Sequence, residues 1–179
     1  ADDEDLAGRV VGTAHVLSPG LRAASGGMVG LAPGRRLGKG GMGDVYLAER
    51  ADGEVEQQVA IKFLRTGSLL PSLRSRFLRE RQILAGLNHP GIARLLDVGH
   101  QDGHPYLVME YVPGETLEGV IARDGALDLP RSLDYTCQIC NALDHAHQQN
   151  VIHRDLRPGN VLVTDSGVLK VADFGTSRF

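Results

Sequence analysis

The chain has 179 residues, of which 42% are hydrophobic and 23% charged, and its formal net charge is -3. This composition supports a buried core and excludes a wholly disordered chain. The charge balance disfavours nucleic-acid binding, and no apolar run reaches the roughly 18 residues of a membrane span, so we expect no nucleic-acid partner, no membrane segment and a cytoplasmic location.

The first half of the chain shows a leader followed by strands. Residues 1–33 are rich in Gly and Ala and weakly periodic, which predicts a flexible leader. Apolar runs at residues 45–48 and 59–64, separated by turn residues, predict an antiparallel hairpin. A helical pattern covers residues 72–87, and residues 92–98 and 106–112 predict two further strands.

The second half is mainly helical and ends in two short strands. Helical patterns cover residues 116–123 and 130–147, and strand patterns cover residues 161–164 and 168–172. This order predicts two lobes that join near residues 110–114. Cys137 and Cys140 recur with Leu133 and Leu143 at helical spacing and lack a second ligand pair, which favours reduced core thiols over a metal site.

A glycine-rich segment precedes the predicted hairpin. Residues 38–45 fit the pattern G-x-G-x-x-G-x-V, in which missing Cβ atoms let backbone N–H groups approach phosphate oxygens closely. A dinucleotide-binding motif would continue into a helix, whereas strand residues follow here. A phosphate-binding hairpin is therefore favoured, and a plain structural turn is the alternative.

Two charges occupy positions that the apolar pattern assigns to the interior. Lys62 lies within the strand VAIKFL, where a buried ammonium group needs an anion. Glu80 fills a slot in the apolar stripe of the helix predicted at residues 72–87. An ion pair between Lys62 and Glu80 satisfies both charges. The alternative is that Lys62 extends to solvent and Glu80 lies at the edge of the helix.

A polar segment follows the second long helix. HRDLRPGN at residues 153–160 is followed by DFG at residues 173–175. Asp155 can accept a proton, and Asn160 and Asp173 offer the hard oxygen ligands that Mg²⁺ prefers. The alternative for this segment is a solvated loop without function.

The four segments GKGGMGDV, VAIK, HRDLRPGN and ADFG, in this order, resemble the protein-kinase signature set. The resemblance covers residues 36–179. It implies an α/β (α+β), two-lobed protein-kinase-like fold, with an antiparallel sheet and one helix in an N-lobe at residues 34–112 and a mainly helical, incomplete C-lobe at residues 113–179. With Pro158, the loop resembles that of Ser/Thr kinases more than that of tyrosine kinases. The segment RFLRERQILAGLNHPGIARLLDVG resembles the corresponding segment of bacterial family members.

The resemblance also implies roles for individual residues. Asp155 would be the catalytic base, Lys62 the ligand of the α- and β-phosphates, and Glu80 its partner. Asn160 and Asp173 would hold Mg²⁺. Met109 would be the gatekeeper at the start of the adenine-contacting hinge. The implied nucleotide-binding residues are Leu37, Gly38, Lys39, Gly40, Gly41, Met42, Gly43, Val45, Ala60, Lys62, Met109, Glu110, Val112 and Leu162.

The implied function is ATP-dependent transfer of the γ-phosphoryl group to Ser or Thr hydroxyls of proteins, with ATP and Mg²⁺ as cofactors. Two departures from the family's sequence pattern bear on this implied activity. Arg157 stands where the family's Ser/Thr catalytic loop usually has Lys, although the positive charge near the phosphoryl group is kept. The sequence also ends at Phe179, before the family's A-P-E motif, so we expect poor peptide phosphorylation. The alternatives are a catalytically impaired nucleotide-binding or interaction fragment and, less favoured, a small-molecule kinase.

Overall fold

The computed structural model describes residues 31–40, 43–50, 57–64, 84, 86–101 and 104–174. The chain divides into two compact units. The first comprises Ala1–Gly67 and Leu96–Tyr111, and the second comprises Ser68–Leu95 and Val112–Phe179. Most of the predicted leader and most of the helix predicted at residues 72–87 lie outside the described residues, although Leu84 is helical.

The first unit contains a five-stranded sheet. In chain order the strands are β1 (Leu31–Gly40), β2 (Gly43–Arg50), β3 (Gln58–Leu64), β4 (Leu95–Gln101) and β5 (His104–Glu110). Their spatial order is β1-β2-β3-β5-β4. The antiparallel pairing of β2 with β3 confirms the predicted hairpin. β1 begins before the predicted end of the leader at residue 33.

One face of this sheet carries an apolar cluster. Because side chains alternate between the two faces of a strand, every second residue of β2, β3 and β5 contributes to the same face. The buried members are Ala48, Val59, Ile61 and Val108, and Phe63, Leu96 and Tyr106 pack against them. The ring of Phe63 contacts those of Tyr46 and Tyr106 at centroid distances of 5.8 and 6.0 Å.

The part of the second unit that follows β5 starts with a short strand and two helices. β6 (Glu115–Thr116) leads into α1 (Leu117–Asp124), and α2 spans Leu129–Gln148. Thr116 caps the start of α1 by accepting a hydrogen bond from the Gly119 N–H at 3.1 Å, and Asp128 caps α2 by accepting one from Arg131 N–H at 2.8 Å. Such caps satisfy backbone donors that the first helical turn leaves unpaired. None of the helices in the described residues combines the length and apolarity needed to cross a bilayer.

A loop and a hairpin follow α2. The loop contains a 3₁₀ turn (Pro158–Asn160), and the hairpin consists of β7 (Val161–Val163) and β8 (Leu169–Val171). β6, β7 and β8 form a three-stranded sheet in that order. Gln138 of α2 holds the hairpin, because its side-chain oxygen accepts a hydrogen bond from Leu169 N–H at 2.8 Å and its amide donates to Gly167 O at 3.3 Å.

Two apolar clusters pack these elements together. One lies between α2, β8 and the segment at residues 84–92, and its buried members are Leu87, Ile92, Ala142, Ala146, Val151, Val171 and Phe174. The other lies between α1, α2 and the small sheet, and its buried members are Leu117, Val120, Tyr135, Val161, Val163 and Leu169. The loop between α2 and β7 is therefore attached to a packed support at both ends.

The boundaries of the fourth strand differ from the prediction. The apolar pattern starts at Ile92, but β4 begins only at Leu95. Ile92 instead forms an isolated parallel bridge with Val171 of β8. One continuous apolar run therefore serves two different sheets, which sequence periodicity alone does not distinguish.

The prediction that Cys137 and Cys140 are core thiols is wrong, because both are exposed free cysteines. The buried residues of α2 are Tyr135, Ala142 and Ala146. At about 100° per residue, Cys137 lies about 200° around the helix from Tyr135, and Cys140 lies equally far from Ala142. Leu133 of the same predicted stripe is 57% exposed, whereas Leu143 is partly buried and packs against the core.

Candidate active site

The glycine-rich segment forms the connected ends of β1 and β2. Gly40 pairs with Gly43, and Gly38 pairs with Val45. Gly43 has φ of 149°, and a Cβ atom there would lie 1.8 Å from the Phe63 carbonyl oxygen of β3. The last glycine of the motif is therefore required by close backbone approach. Gly41 and Met42 lie outside the described residues.

Several predicted site residues share one face of the sheet. Lys62 lies opposite Val45 on β2 and opposite Leu107 on β5, and Ala60 lies opposite Met109. Directly opposed residues point to the same face of the sheet. Here that face is the one opposite the apolar cluster that contains Val59 and Ile61. Lys62 is 5% exposed on this largely apolar surface. The strand register thus sets one ammonium group among apolar side chains.

The remaining predicted residues of the first unit lie on β1 and at the end of β5. Leu37 is half-buried, and Lys39 is exposed on β1. Glu110 is the last residue of β5 and lies opposite Val59. Glu80 lies outside the described residues, so its pairing with Lys62 stays a prediction. Val112 is buried and belongs to the second unit.

In the second unit, His153 anchors the loop after α2. The side chain is 2% exposed. Its Nδ1 accepts a hydrogen bond from Asp155 N–H at 3.3 Å, and its Nε2 lies 2.7 Å from Ala172 O. These partners correspond to the tautomer with the proton on Nε2. Sequence reasoning missed this role, because the contact with Ala172 joins residues 19 positions apart.

Asp155 and Asn160 form a hydrogen-bonded pair within the loop. The Asn160 side-chain NH₂ donates to the Asp155 backbone oxygen at 2.8 Å and to Asp155 Oδ2 at 3.1 Å. Asn160 is 8% exposed, so its position is fixed by packing as well. Because the NH₂ group is directed to Asp155, the amide oxygen of Asn160 points elsewhere. A hard oxygen ligand is thereby presented next to a carboxylate, which fits a Mg²⁺ site.

The backbone on both sides of Asp173 is anchored to the same loop. Ala172 N–H donates to Asn160 O at 2.9 Å, and the Phe174 ring meets His153 edge-on at a centroid distance of 4.6 Å. Asp173 itself has φ of 63°, and Arg154 has φ of 65°. Non-glycine residues adopt this left-handed conformation at an energetic cost, which the surrounding contacts must offset.

Arg157 and Leu162 complete the predicted set. Arg157 is exposed and precedes the 3₁₀ turn, and Asn160 N–H donates to its backbone oxygen at 2.9 Å. Leu162 is half-buried on β7 between Val161 and Val163, which are buried. Since side chains alternate along a strand, Leu162 points away from the core that its neighbours fill. The second unit thus gathers a carboxylate, an amide and a guanidinium in one short loop.

The fold and the motifs described above are those of the protein kinase class, and comparison with known proteins tests this assignment. Residues 31–179 match the family model described as protein kinase domain. The chain belongs to this family, which confirms the resemblance drawn from its motifs.

A curated relative is the serine/threonine-protein kinase PknB of Mycolicibacterium smegmatis, which is 40% identical over 150 residues, covering 81% of this chain and 24% of the relative. The PknI kinase domain of Mycobacterium tuberculosis superposes with a TM-score of 0.72 at 33% identity, covering 87% of this chain and 64% of that one. The structure of Rad53 in complex with AMP-PNP gives a TM-score of 0.74 at 28% identity, covering 83% and 39%. These likenesses confirm the predicted kinase-like fold. The chain spans about a quarter of the length of the curated relative.

Proposed function

We propose that this chain binds Mg²⁺–ATP and carries the machinery for transferring the γ-phosphoryl group to Ser or Thr hydroxyls of proteins. The observation that carries this proposal is the hydrogen-bonded loop in which Asn160 bonds to Asp155 and to the backbone preceding Asp173. Phosphoryl transfer depends mainly on positioning and charge stabilisation, and this loop fixes the groups that such a reaction needs. Membership in a family with Ser/Thr kinase relatives supports the acceptor class.

In this proposal each group acts at a stated atom. Asp155 accepts the proton of the acceptor hydroxyl while Asn160 orients its carboxylate. Asn160 Oδ1 and the Asp173 carboxylate hold Mg²⁺, which neutralises phosphate charge when bound. Lys62 contacts the α- and β-phosphates, and Arg157 lies near the transferring group. The glycine-rich hairpin, the hinge residues and Leu162 contact the remainder of the nucleotide.

The cytoplasm is the proposed compartment. Cys137 and Cys140 are exposed free thiols, and such thiols persist in reducing compartments. A fluorescent fusion of the chain that co-localises with secreted rather than cytoplasmic markers would contradict this assignment.

Calorimetry tests the nucleotide site. ADP should bind more tightly with Mg²⁺ than with a chelator, and Asp173→Ala should remove the difference. Equal affinity of the unaltered chain under both conditions would contradict the metal role of Asn160 and Asp173.

Transfer itself is tested with radiolabelled ATP and a generic basic protein substrate, with Asp155→Asn as the blank. Loss of a general base lowers the rate by about 10²–10⁴-fold. Because we expect poor peptide phosphorylation, even slow transfer that the blank abolishes supports the enzyme. Mg²⁺-dependent nucleotide binding without any transfer supports the alternative of a nucleotide-binding fragment.

A further inference from the structure

Gly159 lies between two charged side chains of the second unit. A Cβ atom at this position would be 3.0 Å from Glu118 Oε2, 3.2 Å from Arg157 Nη2 and 3.4 Å from Arg157 Nε. Gly159 is not among the glycines with positive φ, so its backbone conformation does not demand glycine. A side chain at position 159 would instead crowd both charged groups, because these distances are shorter than ordinary van der Waals contacts. A lysine at position 157 would place a narrower ammonium group beside Gly159.

Rigid elements bring the carboxylate to this point. Glu118 lies in the first turn of α1, whose start is fixed by the Thr116 cap and by the pairing of β6 with β7. Arg157 comes from the loop, two residues after Asp155, and its backbone oxygen accepts a hydrogen bond from Asn160 N–H. The helix and the catalytic loop therefore meet at Gly159 with opposite charges.

The attraction between these charges restrains the guanidinium without locking it. In the described part of the chain the two groups face each other across Gly159 without a direct ion pair, and both side chains are exposed. Exposed pairs of opposite charge contribute about 0.2–1 kcal/mol, which corresponds to about a 1.5- to 5-fold change in an equilibrium. An interaction of this size biases the position of Arg157 and still yields to a stronger anion.

We propose that Glu118 is a positioning residue for Arg157, and that Glu118 and Gly159 together hold the guanidinium beside the catalytic base until a γ-phosphoryl group competes for it. The inference rests on the proposed function for the presence of ATP and deepens it by explaining how the loop accommodates Arg in place of Lys. The carboxylate and the γ-phosphoryl group are two anions that attract one cation. Glu118 therefore weakens the contact of Arg157 with ATP, whereas ADP, which lacks the γ-phosphoryl group, is unaffected.

The first test measures the affinities of ATP and ADP by calorimetry with Mg²⁺. Glu118→Gln should raise the preference for ATP over ADP by about 1.5- to 5-fold. The same substitution in an Arg157→Gln background should leave the preference unchanged. Asp124→Asn, at the other end of α1, removes the same charge and serves as the matched control. An unchanged preference in Glu118→Gln, or an equal gain in Asp124→Asn, would overturn the proposal.

The second test needs no nucleotide. The side-chain Nε–H resonance of Arg157, assigned by its loss in Arg157→Lys, should shift in Glu118→Gln and in Gly159→Ala but not in Asp124→Asn. A resonance that moves in neither of the first two variants overturns the inference even if ATP binds. A chain that binds no nucleotide but shows the shift retains the contact and refutes the proposed function instead.

Discussion

The loop around Asp155 in the second unit and the Lys62 face of the first-unit sheet hold their proposed functional groups in different ways. In the loop, Asn160 and His153 connect Asp155 to Ala172 through hydrogen bonds, and two residues adopt left-handed conformations. On the sheet, strand register places Lys62 opposite Val45 and Leu107. Loss of one side chain should therefore weaken the hydrogen-bonded loop. The position of Lys62 should instead be disturbed by a change that keeps the strands of the sheet apart.

The largest effect is expected where a side chain would block that approach. In Gly43→Ala the new Cβ would overlap the Phe63 carbonyl oxygen, and φ of 149° is unfavourable for alanine. We expect a loss of about 3 kcal/mol or more in the free energy of unfolding, measured with urea. Gly38→Ala is the matched control, because nothing lies within 4 Å of its Cβ position. Equal stability of the two variants would show that register does not depend on Gly43.

Lys62→Met tests whether the ammonium group on β3 can be removed without harming the fold. Loss of a charge-assisted contact worth about 1.5–3 kcal/mol should weaken Mg²⁺–ATP binding by about 10- to 150-fold. Far-UV circular dichroism should be unchanged, because methionine retains most of the length of lysine and an apolar, unbranched side chain. Lys39→Met, on an exposed position of β1, is the control and should bind normally. Unaltered affinity in Lys62→Met would remove Lys62 from the site.

His153→Ala tests the hydrogen-bonded loop. The substitution leaves the Ala172 carbonyl oxygen without its 2.7 Å partner and removes the ring that contacts Phe174. We expect a loss of about 1–3 kcal/mol in unfolding free energy. Amide exchange measured by NMR should accelerate in the loop and around Asp173 while the first-unit strands keep their protection.

His147→Gln provides the comparison for that loss, since His147 is exposed in the last turn of α2. It should change stability by no more than about 0.5 kcal/mol. Exchange that accelerates equally in the strands of the first unit would show that the two regions do not respond separately.

The sequence predicted the elements of both regions better than their contacts. Period-two and helical patterns located β2, β3, α1 and α2 within a few residues, because backbone periodicity is a local property. The face of α2 that is buried depends on which elements pack against it, and Leu133 and Cys137 were therefore assigned to the wrong side. The hydrogen bond between His153 and Ala172 joins residues 19 positions apart, and no local sequence pattern predicts such a contact.

The smallest effect is expected at a histidine pair that holds residues 87–92 of the second unit. The rings of His89 and His145 stack at a centroid distance of 5.1 Å and an interplanar angle of 29°. His89 Nδ1 accepts a hydrogen bond from Gly91 N–H at 3.0 Å. His145 Nε2 is buried without a hydrogen-bond partner in the described part of the chain. Partial burial, the neighbouring His145 and Lys170 of β8 lower the pKa of His89 below the ordinary value of 6.5.

The sign of the pH effect follows from this lowered pKa. Between the folded-state pKa and 6.5 the unfolded chain binds more protons than the folded chain, so stability rises with pH. The contribution is complete above pH 6.5 and is lost as the pH falls through the folded-state pKa. Melting temperatures measured from pH 7.5 to 5 should decline less in His89→Gln than in the unaltered chain, because that variant has no proton to bind at this position. His147→Gln, which removes an exposed histidine, should follow the unaltered chain. If His89→Gln declines as steeply as the unaltered chain, protonation of His89 does not weaken this unit, and the segment at residues 87–92 is held by its apolar contacts and its bridge to Val171.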